Sequence, residues 1–403
     1  MNDPQSRSYD LILCGGGVVG LSIALEGALR GWRVLVIEAN QLGRSSSWAG
    51  AGILPAGATL PAQDPIEQLR SLSHRLHAEW ATRLQTMTGI DTEYRPCGGL
   101  YVATSPGERA TLAANRHWWQ EHGIAFDRWN AQQVLDRAPA LGSLISSHPE
   151  TEFWFAPEDC RVRNPRHLAA LIAACRSVRV EFLEQTRVVG WESRGNRIVA
   201  VHVTTSPSSD PSALNHSTAR SISGDRVCIT SGAWSGPLLR DLGIETGIMP
   251  VRGQMVLYRC TEPPFDMVIH DGNRYLVPRD DGHLLAGSCE EEVGFHAETT
   301  DSMIEQLRAW AESLWPGFRE TPVEGTWAGL RPGSFDSFPY LGGIPPWENA
   351  YVAAGHFRHG LHWSTATALL MVQCMAGERT TIDLAPFCVQ RGRTNHAASL
   401  LPN

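Results

Sequence analysis

Residues 9 to 20 read Tyr-Asp-Leu-Ile-Leu-Cys-Gly-Gly-Gly-Val-Val-Gly, an apolar run that meets Gly15, Gly17 and Gly20 in GxGxxG spacing. Such a run suits a strand buried on both faces of a parallel sheet. Leu21, Ala24, Leu25, Ala28 and Leu29 then recur at helical intervals, Gly31 can end the helix, and Trp32 to Ile37 returns as a second apolar strand. The product is a βαβ unit whose first turn can hold a pyrophosphate. Gly15 permits the tight turn, Gly17 lets the backbone approach the anion, and Gly20 lets helix and strand pack closely, while the helix N-terminus faces the negative charge. Glu38 ends the second strand 18 residues after Gly20, where a carboxylate accepts hydrogen bonds from both ribose hydroxyls of an adenosine and repels an NADP-type phosphate. NAD and FAD share that half, so the unit leaves both open.

The next stretch, Arg44-Ser-Ser-Ser-Trp-Ala-Gly-Ala-Gly-Ile-Leu-Pro55, is rich in hydroxyls and small residues. It can lie flat against a planar ring while serines donate to phosphate, or it can be a surface loop. At 403 residues the chain is too long for one ordinary core, and two domains are expected. Hydrophobic residues at 42% and charged ones at 19% exclude a disordered chain or a coiled coil. A net charge of -8 has the wrong sign for nucleic acid. Nine cysteines without a CxxC pair disfavour a disulfide framework or zinc knuckle and read as reduced, mostly buried thiols. No apolar stretch is long enough for a membrane span, and polar Met1 to Asp10 lacks a secretory layout, which makes the cytoplasm the default location.

Asp64 to Thr88 carries Ile66, Leu69, Leu72, Leu76, Trp80 and Leu84 at helical intervals, and strand-like pieces and one helix around Glu108 to His122 follow. The pattern returns to helix from Asn164, to a hairpin over Thr186–Trp191 and Arg197–Thr204, and to a strand from Arg226 that ends in small residues. Ser206 to Ser223 reads as an exposed loop. Further strands occupy Pro250–Tyr258, Tyr275–Pro278 and His283–Gly287, with a helix over Thr300–Trp315. A strand from Ala350, a turn over Gly355–Gly360 and a helix from about Leu361 to Ala376 close the pattern. The expected organisation is a discontinuous first domain (1–88, 160–236, 328–403) interleaved with a second (89–159, 237–327).

Seven blocks in order then resemble the D-amino-acid oxidase superfamily of FAD enzymes, and within it the glycine oxidases of thiazole biosynthesis. They are Gly15–Gly20 with Glu38, Ser46-Ser-Trp-Ala-Gly-Ala-Gly-Ile53, Ser231-Gly-Ala-Trp-Ser235, Pro250-Val-Arg-Gly-Gln254, Tyr275-Leu-Val-Pro-Arg279, Gly329-Leu-Arg-Pro-Gly333 and Gly355-His-Phe-Arg-His-Gly360. The resemblance covers nearly the whole chain. It implies an α/β protein, α+β overall, with a Rossmann-like FAD-binding domain and an interleaved, mostly antiparallel β-sheet substrate domain.

By the same resemblance FAD is held without a covalent link by Gly15, Gly17, Val18, Val19, Gly20 and Glu38. Ser46 and Ser47 lie near the pyrophosphate and Val188 near the adenine, and Gly50, Ala51, Gly52, Ile53, Gly232, Arg331, His356, Arg358 and Gly360 complete the set. The resemblance also implies that Arg331 binds the substrate carboxylate, that Tyr275 hydrogen-bonds it, that Arg358 lines the same region, and that Ile53 and Cys289 lie near the pocket. The chemistry agrees: a guanidinium fork meets a carboxylate bidentately, and a phenol adds a third contact. The last helix would turn its N-terminal amides to the flavin. Relatives that tether flavin use a cysteine just after the late-strand arginine, whereas Arg331 is followed by Pro332-Gly-Ser-Phe-Asp336. His356 and His359 lack a third ligand for a metal.

The expected reaction is oxidation of glycine, sarcosine or a small D-amino acid to an imino acid, with oxygen as acceptor, hydrogen peroxide released, and the imine hydrolysed or passed to thiazole assembly. Three alternatives stand beside it: a dehydrogenase that uses a quinone or carrier protein, a non-catalytic flavin-binding protein, and an NAD-dependent dehydrogenase. A homo-oligomer is compatible with the chain, which sets no stoichiometry.

Overall fold

The computed structural model describes residues 8–205 and 220–391. The chain divides into two compact units, Met1–Ser47 with Leu168–Pro250 and Arg331–Asn403, and Trp48–His167 with Val251–Leu330.

In the first unit β1 (Leu11–Cys14), α1 (Val18–Leu29) and β2 (Val34–Ile37) form the expected βαβ motif. Both strands are buried at every residue, as a central parallel strand covered on two faces requires. A six-stranded sheet runs in the order Tyr340–Gly343, Ala350–Ala354, Val227–Ile229, β1, β2, Glu181–Leu183. All neighbours are parallel except the first pair. Its core gathers Ile12, Leu35, Ile229 and Val352 from distant parts of the chain. The late helix spans Ser364–Met375 and packs beside α1.

The expected hairpin is present as Arg187–Arg194 and Arg197–Thr204. Of the stretch read as a loop, residues 206–219 lie outside the described residues. Its last four, Arg220–Ser223, instead form a third strand paired with Ala200–Val203. Ile222 buries its side chain there, which the short, serine-rich context concealed.

The second unit is built on an eight-stranded sheet ordered Val323–Gly333, Met249–Arg259, His283–Gly287, Arg274–Pro278, Val268–Asp271, Gly99–Ala103, Glu152–Ala156, Asp127–Trp129. Its described pairings are antiparallel except Val268–Asp271 with Gly99–Ala103. Helix Asp301–Leu314 buries Leu307, Trp310, Ala311 and Leu314 in the core of this unit. Helix Pro65–Thr88 starts where Asp64 accepts a hydrogen bond from Glu67 N, with Pro65 at its first turn, and stops at Gly89 in the left-handed region.

These boundaries differ from the sequence division. Residues 48–88, 160–167 and 328–330 go with the second unit; Ile53–Leu54 pairs there with Cys160–Arg161, and buried Asp159 accepts Ala56 N at 2.9 Å. Residues 237–250 go with the first, where Leu239, Leu242 and Ile244 join its core. Local periodicity finds the elements, but only these non-local contacts assign them to a unit.

Candidate functional site

In the first unit the glycine loop leaves β1 with Gly15 at φ 124° and its N–H donating to Ile37 O at 2.8 Å. A Cβ on Gly15 would lie 2.5 Å from Thr230 O, and one on Gly20 would strike Gly15 O. Helix and strand approach so closely that neither position has room for a side chain. Gly17 caps α1 without a side-chain hydrogen bond, and the first helical turn holds no acid. That positive helix end is therefore shaped and charged for an anion. Ser47 Oγ accepts Val18 N at 2.9 Å, so the serine stretch reaches the loop.

Glu38 does two things. Its Oε2 accepts Gly16 N and its Oε1 accepts Asn40 N, each at 2.8 Å, and each oxygen keeps a lone pair for a hydroxyl donor. Burial pushes its carboxyl up, against the opposing effect of the Asn40 and Gly16 N–H groups. The carboxylate thus braces the loop. Thr230 Oγ1 donates to Gly15 O at 2.8 Å and Ser231 Oγ to Cys14 O at 2.5 Å, a second brace. Sequence reading noted small residues there but not these bonds. An ADP group fits this cradle: emptied glycine positions, an uncapped helix start and a terminal acid stand together.

Elsewhere in the first unit, half-buried Val188 sits at a register shift of its hairpin, and Gly232 opens a 3-10 turn at φ 54°. Half-buried Arg331 lies near the end of strand Val323–Gly333. The chain just after it is gripped by Arg391, which donates to both oxygens of Asp336 and to Phe338 O and Pro339 O. Arg358 belongs to the 3-10 turn Phe357–His359, and the last helix begins only at Ser364, later than its apolar pattern suggests. Gly360 has ordinary right-handed backbone angles. His356 is buried, its Nε2 3.1 Å from Thr367 Oγ1, and burial pushes it down to about 3. It is a neutral lock between turn and helix.

In the second unit Ser46–Ala49 continues from the first as a one-turn helix, and buried Ala51 and Gly52 lead into Ile53. The stretch is a packed turn, not a surface loop. Tyr275 lies on strand Arg274–Pro278 opposite Gly287, its hydroxyl 3.7 Å from Met255 Sδ. Cys289 belongs to a charged cluster: its Sγ accepts Gln254 N at 3.2 Å and donates to Glu291 Oε2 at 3.1 Å. Arg252 grips both oxygens of Glu291. All nine cysteines are free thiols and five are buried.

The Arg252 hydrogen bond, ahead of the opposing burial, pulls the Glu291 carboxyl from 4.5 down to about 2. A carboxyl with a folded value below its unfolded one stabilises the fold fully above the unfolded value. That contribution is lost as pH falls from about 4.5 to about 2. Thermal unfolding should therefore show Glu291→Gln less stable than wild type near neutrality, with the gap closing across this window. A gap independent of pH would contradict it.

The family model DAO, FAD dependent oxidoreductase, matches residues 10–374. The chain belongs to the FAD-dependent oxidoreductase family. Glycine oxidase of Pseudomonas aeruginosa is 34% identical over 94% of this chain and 98% of its own. The crystal structure of glycine oxidase from Geobacillus kaustophilus superposes with TM-score 0.87 at 28% identity, covering 96% and 99% of the two chains. A bifunctional ThiO/ThiG protein of Synechocystis is 28% identical over 96% of this chain and 54% of its own. The resemblance, the fold class and FAD as cofactor are thereby borne out, and the NAD alternative falls. In this FAD-dependent oxidoreductase no helix among the described residues is long and apolar enough to cross a membrane.

Proposed function

We propose that this protein oxidises glycine to iminoacetate with FAD as cofactor and oxygen as acceptor, releasing hydrogen peroxide. The observation that carries the reading is identity to a glycine oxidase along nearly the full length of both chains. FAD, when bound, supplies a two-electron acceptor for the hydride leaving the α carbon. The chain supplies binding, orientation and electrostatics. The loop Gly15–Gly20, with Val18 and Val19 opening α1, and Glu38 would hold the ADP half, with Ser46, Ser47, Val188 and Gly232. The turn Gly50–Ile53 and the segment His356–Gly360 would hold the flavin half. Arg331 anchors the substrate carboxylate as a fork, Tyr275 adds a phenolic hydrogen bond, and Arg358 adds positive charge.

Glycine and oxygen become iminoacetate and hydrogen peroxide, which balances atoms and the electron pair. The imine is then hydrolysed or passed to thiazole assembly. A cytoplasmic enzyme fits this role, as does acceptance of sarcosine or small D-amino acids by the same carboxylate anchor. The test is the visible spectrum of the holoenzyme before and after anaerobic glycine, followed by peroxide release with glycine, sarcosine, D-alanine and D-proline. Bleaching by glycine and peroxide on readmitting air are expected. A flavin that stays oxidised in glycine would refute the substrate, and turnover only with a dye would refute oxygen.

A further inference from the structure

Arg279 is an arginine at 4% exposure in the second unit. Its Nη2 donates to Ala51 O at 2.6 Å and its Nη1 to Val162 O at 3.0 Å. Next to it in sequence, Asp280 and Asp281 are turned to other cations. Asp280 receives Arg95 and Arg161, and Asp281 receives Arg163 and His283. The Arg279 fork is thus left to backbone carbonyls. Burial, then Arg161 and Arg163, push its guanidinium down to about 9, so it stays charged at neutral pH.

The two carbonyls flank one construction. Val162 N donates to Gly52 O at 2.8 Å, and Gly52, at φ 72°, lies so close that a Cβ would strike Val162 O. A buried carbonyl needs a donor, and two carbonyls from segments over a hundred residues apart cannot find one in a local turn. One rigid fork serves both and fixes their spacing, which a flexible ammonium cannot do equally well.

We propose that Arg279 is a positioning residue for the cofactor: by tying Ala51 to Val162 it holds the turn Gly50–Ile53 in the shape that receives the flavin. This rests on the reading above that the turn contacts flavin. The experiment is titration of apoprotein with FAD for wild type, Arg279→Met and Arg279→Lys. Dissociation constants and the position and fine structure of the flavin visible bands are recorded, with far-ultraviolet circular dichroism as the fold control. Met should weaken FAD binding at least roughly tenfold and blur the bands, as expected when two charge-assisted bonds are lost, and Lys should fall between. If the Met variant does not fold, Lys decides: weaker FAD binding in a folded protein supports the proposal, and wild-type affinity and spectrum overturn it. Variants that match a flavin-binding wild type overturn the proposal alone, whereas a wild type that takes up no FAD overturns the functional reading beneath it.

Discussion

Replacing Arg331 by alanine is expected to cut kcat/KM for glycine by roughly a hundred- to twenty-thousandfold, mostly through KM, with FAD content unchanged. Each hydrogen bond to an ionised group contributes about 1.5 to 3 kcal/mol, a bidentate pair has two, and about 1.4 kcal/mol is a factor of ten. FAD should stay because the cradle for its ADP half is built from Gly15, Gly20, Glu38 and Thr230, whose described bonds do not involve Arg331. Lysine at this position keeps the charge but not the fork, so Arg331→Lys should recover only part of the loss. Steady-state kinetics with a flavin absorbance check decide it. Unchanged kinetics would remove Arg331 from the substrate, and loss of flavin would give it a different task.

The second large effect is expected at Gly15. Alanine there places a methyl group 2.5 Å from Thr230 O, 2.7 Å from its carbon and 2.9 Å from Ser231 Cα, at φ 124°. All three atoms are backbone, two next to the sheet strand Val227–Ile229, so none can step aside cheaply. Strain and overpacking together cost on the order of 2 to 5 kcal/mol. The Gly15→Ala protein should emerge without bound FAD and fail to take it up at concentrations that saturate wild type. Gly31→Ala is the control. It also has positive φ, but a Cβ there meets nothing within 4 Å. It should keep its flavin and lose only about 1 kcal/mol of stability. Equal FAD affinity in the Gly15 variant would show that the loop can relax and would weaken the steric account.

Much of the cradle was legible because its logic is local. The glycine spacing, the apolar strands and Glu38 sit within one short stretch, where a period and a spacing carry the information. The ends of helix Pro65–Thr88 are likewise set at Asp64 and Gly89, residues whose side chain, or lack of one, acts within a turn. Illegible were the contacts made across the chain. Thr230 and Ser231 brace a loop more than two hundred residues away, Arg279 ties residues 51 and 162, and Arg391 grips the segment after Arg331. No periodicity marks such residues, and a threonine at a strand end or an arginine after a proline has many ordinary explanations. His356 and Cys289 show the same limit: the resemblance implied a place for each near cofactor or substrate, but not that His356 Nε2 meets Thr367 Oγ1 or that Cys289 joins the Gln254–Glu291 cluster.

The strand order of the first unit also bears on how the chain reaches this state as it leaves the ribosome. β1 precedes its partners in the chain: one flank is closed by Val227–Ile229, more than two hundred residues later, and that strand is flanked in turn by Ala350–Ala354. Helix Ser364–Met375, beside α1, comes later still. The nascent βαβ motif must therefore wait, with apolar edges uncovered, until these later segments have been made. Pairings across such sequence distances are slow to form. Completion of this sheet cannot precede synthesis of residues 350–354, and the cofactor cradle that leans on Thr230 cannot exist before that residue has emerged.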